Sequence, residues 1–264
     1  MGIPSGGVNI SHTLPLGPFV TCAVRWTGKA HDPLWKANEL MPELIINGPA
    51  GRLEARYHHE PARDSPIALI LHPHPQFGGT MNNQVVYHLY YTFAERSFSV
   101  LRFNFRGVGR SQGYFDNGPG ELADAASALD WLQIAKPESK SCWICGISFG
   151  TWIAMQLLMR RPEVDAFVCV APPANLYDFS FLAPCPASGL FVNGEKDRVV
   201  PSASVAELAA KTKTQKGIKI EHEVVPGANH FFEGEEQMDA LKACVGRYID
   251  RRMLEIAKEK SEEQ

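Results

Sequence analysis

The sequence predicts an α/β protein: a mostly parallel, eight-stranded sheet with helices on both faces and no cap domain. Three observations carry that prediction. Apolar runs of strand length alternate with segments of helical period, the pattern that builds parallel sheets covered on two sides. One strand candidate breaks directly into a helix at Gly146-Ile147-Ser148-Phe149-Gly150. Loops bearing an acidic residue and then a histidine follow later strand candidates, in that chain order.

The elements follow in order. Leu44–Asn47 and Arg52–His58, joined by Gly48-Pro49-Ala50-Gly51, form a hairpin candidate. Strand Ile67–Leu71 precedes helix Asn83–Arg96, whose Val85, Val86, Leu89 and Phe93 share one face. Strand Val100–Phe105 and helix Gly120–Ile134 come next, the latter with an apolar stripe of Leu122, Ala126, Leu129 and Leu132. Strand Ser141–Cys145 leads through the Ser148 turn into helix Thr151–Met159. Strands Ala166–Ala171 and Ser188–Asn193 are separated only by residues 172–187, too short for a helical cap. Helix Ala203–Gln215, strand Lys219–Val225 and helix Glu235–Ile256 complete the domain. Residues 1–40 show no period and read as a poorly ordered extension, 41–256 as the domain, and 257–264 as a charged, frayed tail.

Composition bounds the function. With 45% apolar and 21% charged residues, 264 residues can bury one large core. A formal net charge of −3 argues against a nucleic-acid or anionic-membrane partner. No apolar run reaches the roughly 20 residues that cross a bilayer, and the N-terminus lacks a signal-peptide pattern. The six cysteines are scattered, and Cys142 and Cys145 in one strand should point to opposite faces. Reduced, structural thiols in a cytoplasmic protein are the expectation.

The pattern Gly-x-Ser-x-Gly occurs twice. At Gly109-Arg110-Ser111-Gln112-Gly113 it precedes a loop, Tyr114 to Gly120, and not a helix. At Ser148 it joins a strand to a helix, which makes the strained turn that holds a hydroxyl above a sheet. Ser148 is therefore the candidate nucleophile and Ser111 is not. A serine hydroxyl needs a base and an orienting carboxylate. Downstream of Ser148 the histidines are His222, within an alternating strand, and His230, on the loop Pro226-Gly227-Ala228-Asn229-His230. Loops display catalytic side chains, so His230 is the candidate base. The turn Gly194-Glu195-Lys196-Asp197 offers two acids; Asp197, deeper in the turn, is preferred to Glu195, with Asp178 third.

An oxyanion also needs donors. The Phe149 N–H follows the nucleophile, and the loop after Leu71 supplies a second. Pro73 and Pro75 have no N–H, which leaves the His74 and Gln76 backbones. His72 with His74 as a metal pair lacks a third ligand, so neither a metal nor another cofactor is expected. Gly107-Val108-Gly109 lacks the spacing and helix of a nucleotide site.

Leu71 to Asn83 (LHPHPQFGGTMNN), Asn104 to Ser111 (NFRGVGRS), Gly146 to Gly150 (GISFG), Gly194 to Pro201 (GEKDRVVP) and Pro226 to Phe232 (PGANHFF) together resemble the α/β-hydrolase superfamily. Within it, the chain is similar to small bacterial hydrolases related to dienelactone hydrolase and the serine aminopeptidase-like group, over roughly Met41 to Arg252. The resemblance implies a serine hydrolase with Ser148, Asp197 and His230 as its triad. Its expected substrate is a small soluble ester, thioester or related acyl compound; a peptide, or binding without turnover, is the alternative. Pro73 stands where many relatives have Gly, and Asn104 where Asp is common. Phe77, Tyr177, Phe179, Phe181 and Phe231, on loops at the expected site, are the candidate substrate-pocket residues, with Leu176 and Leu182 beside them.

Overall fold

The computed structural model describes residues 43–213 and 217–262; the extension expected at 1–40 lies outside the described residues. Strands β1 (Glu43–Gly48) and β2 (Gly51–His58) form the expected hairpin, with Gly48 paired to Gly51 across the turn. β3 (Ile67–Leu71), β4 (Ser99–Phe103), β5 (Cys142–Ile147), β6 (Ala166–Val170), β7 (Ser188–Gly194) and β8 (Ile220–Val225) follow. The sheet order is β1-β2-β4-β3-β5-β6-β7-β8, antiparallel through β1, β2 and β4 and parallel from β4 onward.

Among the described residues the helices are α1 (Gln84–Ala94), α2 (Pro119–Ala135), α3 (Phe149–Leu158), α4 (Ser202–Thr212) and α5 (Glu235–Glu262). α1 starts where the Asn83 side chain accepts from the Val85 N–H at 3.0 Å, a polar cap for an otherwise orphaned donor. α5 runs on through Glu262, so the charged segment 257–262 continues the helix. Lys260 there donates to the Lys140 carbonyl and pairs with Asp165, contacts from distant sequence that extend the helix.

Alternation along each strand splits the core in two. Leu69 and Leu71 pack with α2, α3 and α4, whereas Ala68 and Ile70 pack with α1 and α5. Cys142 and Cys145 fall on these opposite faces, both buried and free. The buried stripe of α2 differs from expectation: Ala125, Ala128, Leu129 and Leu132 face inward, while Leu122 and Ala126 are only partly buried. The helix is rotated because Glu121 and Asp124 are also buried, each holding loop groups described below.

The strand order places the site. β4 lies on one side of β3 and β5 on the other, so the connections after β3 and after β5 run in opposite directions, and ligands bind outside the strand C-termini at such a switch point. The loops after β3 and β5 meet there. The β6–β7 crossover is unusual, because parallel strands are normally joined through a helix. Here residues 171–187 contain only a one-turn 3-10 helix, Ser180–Leu182.

Candidate active site

Ser148 sits between β5 and α3 with φ 50° and ψ −124°, a backbone conformation that L side chains rarely adopt. The flanking glycines make the turn possible. A Cβ on Gly146 would lie 2.5 Å from the Gly150 carbonyl oxygen, and one on Gly150 2.5 Å from the Leu71 oxygen. The Ser148 N–H donates to the Val170 carbonyl at 2.9 Å, which ties the turn to β6.

His230 comes from the loop after β8 and Asp197 from the loop after β7. His230 Nε2 lies 3.0 Å from Ser148 Oγ, and His230 Nδ1 lies 2.8 Å from Asp197 Oδ2. The other Asp197 oxygen accepts from the Val199 and Val200 N–H groups, both at 2.8 Å, and the carboxylate is wholly buried. Its geometry is set before any ligand arrives. Glu195 instead accepts from the Gly227 N–H at the surface, and Asp178 from the Ser180 N–H and hydroxyl. His222 is bonded to the Asn193 side chain at 2.6 Å. Ser111 is buried in the β2–β4 framework, donating to the Asn104 carbonyl and accepting from the Glu54 N–H. A hydroxyl so engaged holds structure together and is not poised to attack.

The loop after β3 narrows the expected pair of donors to one. The Gln76 N–H donates to the His74 ring at 3.2 Å within a 3-10 turn, so Gln76 is not a free oxyanion donor. The reason is local: the imidazole two residues back caps its own turn. Among the described residues the His74 N–H has no protein acceptor, and the Phe149 N–H opens α3, where helix donors are unpaired. His72 orients the first of these. It is fully buried, its Nε2 accepts from the Phe105 N–H at 3.0 Å, and its Nδ1–H donates to the Pro73 carbonyl at 2.6 Å. Burial holds its pKa down at about 3, so the ring stays neutral and keeps both bonds. Anchoring the Pro73 carbonyl turns the His74 N–H the opposite way, because the two groups are antiparallel across one peptide. Both His72 nitrogens are occupied, which also rules it out as a metal ligand.

Asn104 adds a second clamp on this loop. Its side chain accepts from the Met81 N–H and donates to Glu54, which in turn holds Arg110.

The aromatic residues expected around the site separate into two groups. Tyr177 packs against Trp152 at 4.7 Å and Phe149 at 5.8 Å between ring centroids. Phe179 is buried, with Phe181 stacked on it. Phe77 is 84% exposed against the His74 ring, and Phe231 is 36% exposed beside His230. Trp152, inside a helix of core residues, gave no sign in the sequence that it would form a wall.

A serine, a histidine and an aspartate in hydrogen-bonded series on an α/β sheet are the arrangement that serine hydrolases use. Comparison with known proteins agrees. A family model described as X-Pro dipeptidyl-peptidase (S15 family) matches residues 51–240. The chain belongs to that family and, through it, to the α/β-hydrolase superfamily. It is 51% identical over 196 residues to an uncharacterised protein of Rickettsia prowazekii, covering 73% of this chain and 82% of that one. Among solved structures it is similar to an α/β hydrolase of unknown function from Agrobacterium tumefaciens, at 62% identity and TM-score 0.77, covering 80% of this chain and 96% of that one. It is also similar to an α/β serine hydrolase without lid from Xanthomonas campestris, at 28% identity and TM-score 0.71, covering 80% and 94%. Among the described residues no helix is long and apolar enough to cross a membrane.

Proposed function

We propose that the protein hydrolyses an ester or thioester of a small substrate through an acyl-enzyme on Ser148. The observation that carries this reading is the unbroken hydrogen-bonded series Asp197–His230–Ser148. His230 Nε2 takes the Ser148 proton as Oγ bonds to the substrate carbonyl carbon. The oxyanion is held by the Phe149 and His74 N–H groups. The intermediate collapses, His230 returns the proton to the departing alcohol or thiol, and the acyl group stays on Ser148. Water then attacks with its proton going to His230, and Ser148 leaves with that proton as the acid is released. Asp197 fixes the imidazole tautomer throughout.

The family description raises a peptidase as the second reading. Release of dipeptides requires recognition of a free amino terminus, which calls for a spare carboxylate. Several carboxylates of the surrounding loops are turned to local donors: Asp178 to Ser180, Glu195 to Gly227, Glu233 to Asn229, and Glu121 to the Asp116 and Gly118 N–H groups. Buried, unpaired cysteines among the described residues support a reducing compartment.

Fluorophosphonate labelling and p-nitrophenyl acetate hydrolysis test the proposal together. Ser148→Ala should abolish labelling and lower kcat/KM by on the order of 10⁴-fold or more. Ser111→Ala should still be labelled, while losing roughly 1–3 kcal/mol of stability from its buried hydrogen bonds. Asp197→Asn should cost ~10⁴-fold in kcat by favouring the wrong tautomer, whereas Glu195→Gln should not. Labelling that persists in Ser148→Ala would overturn the assignment.

A further inference from the structure

Where the β6–β7 crossover lacks a helix, a cavity of about 810 Å³ opens between residues 174–183 and α4. That volume lies within the roughly 300–1,000 Å³ typical of small-molecule sites. Its apolar walls are Tyr177, Phe179, Leu182 and Leu208. None of Ser148, His230 or Asp197 lines it, so it is a chamber beside the triad and not the reaction centre itself.

Two connections join the chamber to the chemistry. On one side Tyr177 packs against Phe149 and Trp152 of the nucleophile helix. On the other, the Asn175 side chain donates to the Val199 carbonyl at 3.0 Å, and the Val199 N–H holds Asp197. Leu176 and Val199, neighbours of these contacts, are 62% and 48% exposed. Large apolar side chains left in water beside a reactive centre mark a surface that apolar ligand covers.

The charge at the mouth selects the occupant. Glu207 and Lys211 pair with one another at 2.7 Å, and Asp178 is satisfied by Ser180. Glu207 and Lys211 neutralise one another, Asp178 keeps its negative charge because Ser180 offers only neutral donors and so disfavours an anionic ligand, and Tyr177, Phe179, Leu182 and Leu208 present carbon to a hydrocarbon. We infer that it holds the apolar chain of the ester substrate, a medium-length acyl or alkoxy chain. This rests on the hydrolase reading and narrows it from small esters in general to amphipathic ones.

The test fills the chamber from its partly exposed walls. Ser204→Trp and Ser180→Trp each place a large ring in it from a position outside the packed core. The kcat/KM ratio of p-nitrophenyl decanoate to p-nitrophenyl acetate, and of decyl acetate to ethyl acetate, is measured for wild type and both variants. A ratio that falls tenfold or more in the first pair assigns the acyl chain to the chamber, and in the second pair the alkoxy chain. Unchanged ratios in both pairs overturn the inference. Calorimetric titration of n-decanol into Ser148→Ala protein, with and without Ser204→Trp, reads the chamber without turnover. Binding weakened at least tenfold by the tryptophan is the expected result, and equal binding refutes it. Absence of ester turnover with intact, tryptophan-sensitive decanol binding would count against the hydrolase reading and not against the chamber.

Discussion

The His72 imidazole is not among the proposed reacting groups, yet its two hydrogen bonds fix the Pro73–His74 peptide that carries the proposed His74 donor. Its burial has a consequence for pH dependence. The folded-state pKa is lowered from 6.5 to about 3 because a charged ring would lose its hydration. Below pH 6.5 the unfolded chain takes up a proton here that the native protein refuses. Stability contributed by this residue is therefore complete above that pH and is lost as pH falls from 6.5 toward 3. His72→Gln cannot titrate, so its stability deficit relative to wild type should shrink between pH 7 and 4, by up to ~1.4 kcal/mol per unit. Urea denaturation at several pH values measures this; a deficit independent of pH would show that His72 is not held neutral by the fold.

At the scale of elements, α2 shows how buried charge shapes a helix that apolar patterning only locates. Asp124 accepts from the Arg106 N–H, Nε and guanidinium at 2.8–3.0 Å, fastening the loop after β4 to the helix. Glu121 closes the preceding loop by taking the Asp116 and Gly118 N–H groups. These carboxylates rotate the buried stripe by about one position. Asp124→Ala strands a largely buried guanidinium and should cost about 3–5 kcal/mol, whereas replacing both partners with leucine should recover most of that loss. Denaturant titration decides the matter. A loss below ~1 kcal/mol in the single variant would show that the pair is solvated and idle. The sequence did reveal the helix, because its apolar period, Leu122 to Leu132, spans about three turns. It did not reveal the rotation, because Arg106 and Asp124 are partners only once β4 and α2 are packed.

For the whole molecule, the sheet is a partition with an independent apolar layer on each side. Ile153 of α3 and Ile249 of α5 are both fully buried, in opposite layers. Ile153→Val and Ile249→Val should each cost roughly 0.5–1.5 kcal/mol. Separated by the sheet and sharing no partner, they should add within ~0.5 kcal/mol in the double variant. Chemical denaturation followed by fluorescence measures all three losses. Strong non-additivity would mean that strain crosses the strands and that the two layers behave as one core.

By itself the sequence determined what is local. Alternating strand and helix patterns specified a two-faced, mostly parallel sheet. A strand that breaks between glycines displayed Ser148, and the later loops displayed Asp197 and His230, because backbone preference acts over a few residues. Tertiary structure decided what depends on approach across the chain. His230 lies 82 residues from Ser148 and 33 from Asp197, and only the sheet order brings them within hydrogen-bond reach. The engagement of the Gln76 N–H by the His74 ring required that ring to fold back on its own turn. The exposure of Phe77 and Phe231 likewise depends on what the rest of the chain packs against. The chamber lined by Tyr177 and Leu208 came from a missing crossover helix, a gap between segments that no single stretch of sequence encodes.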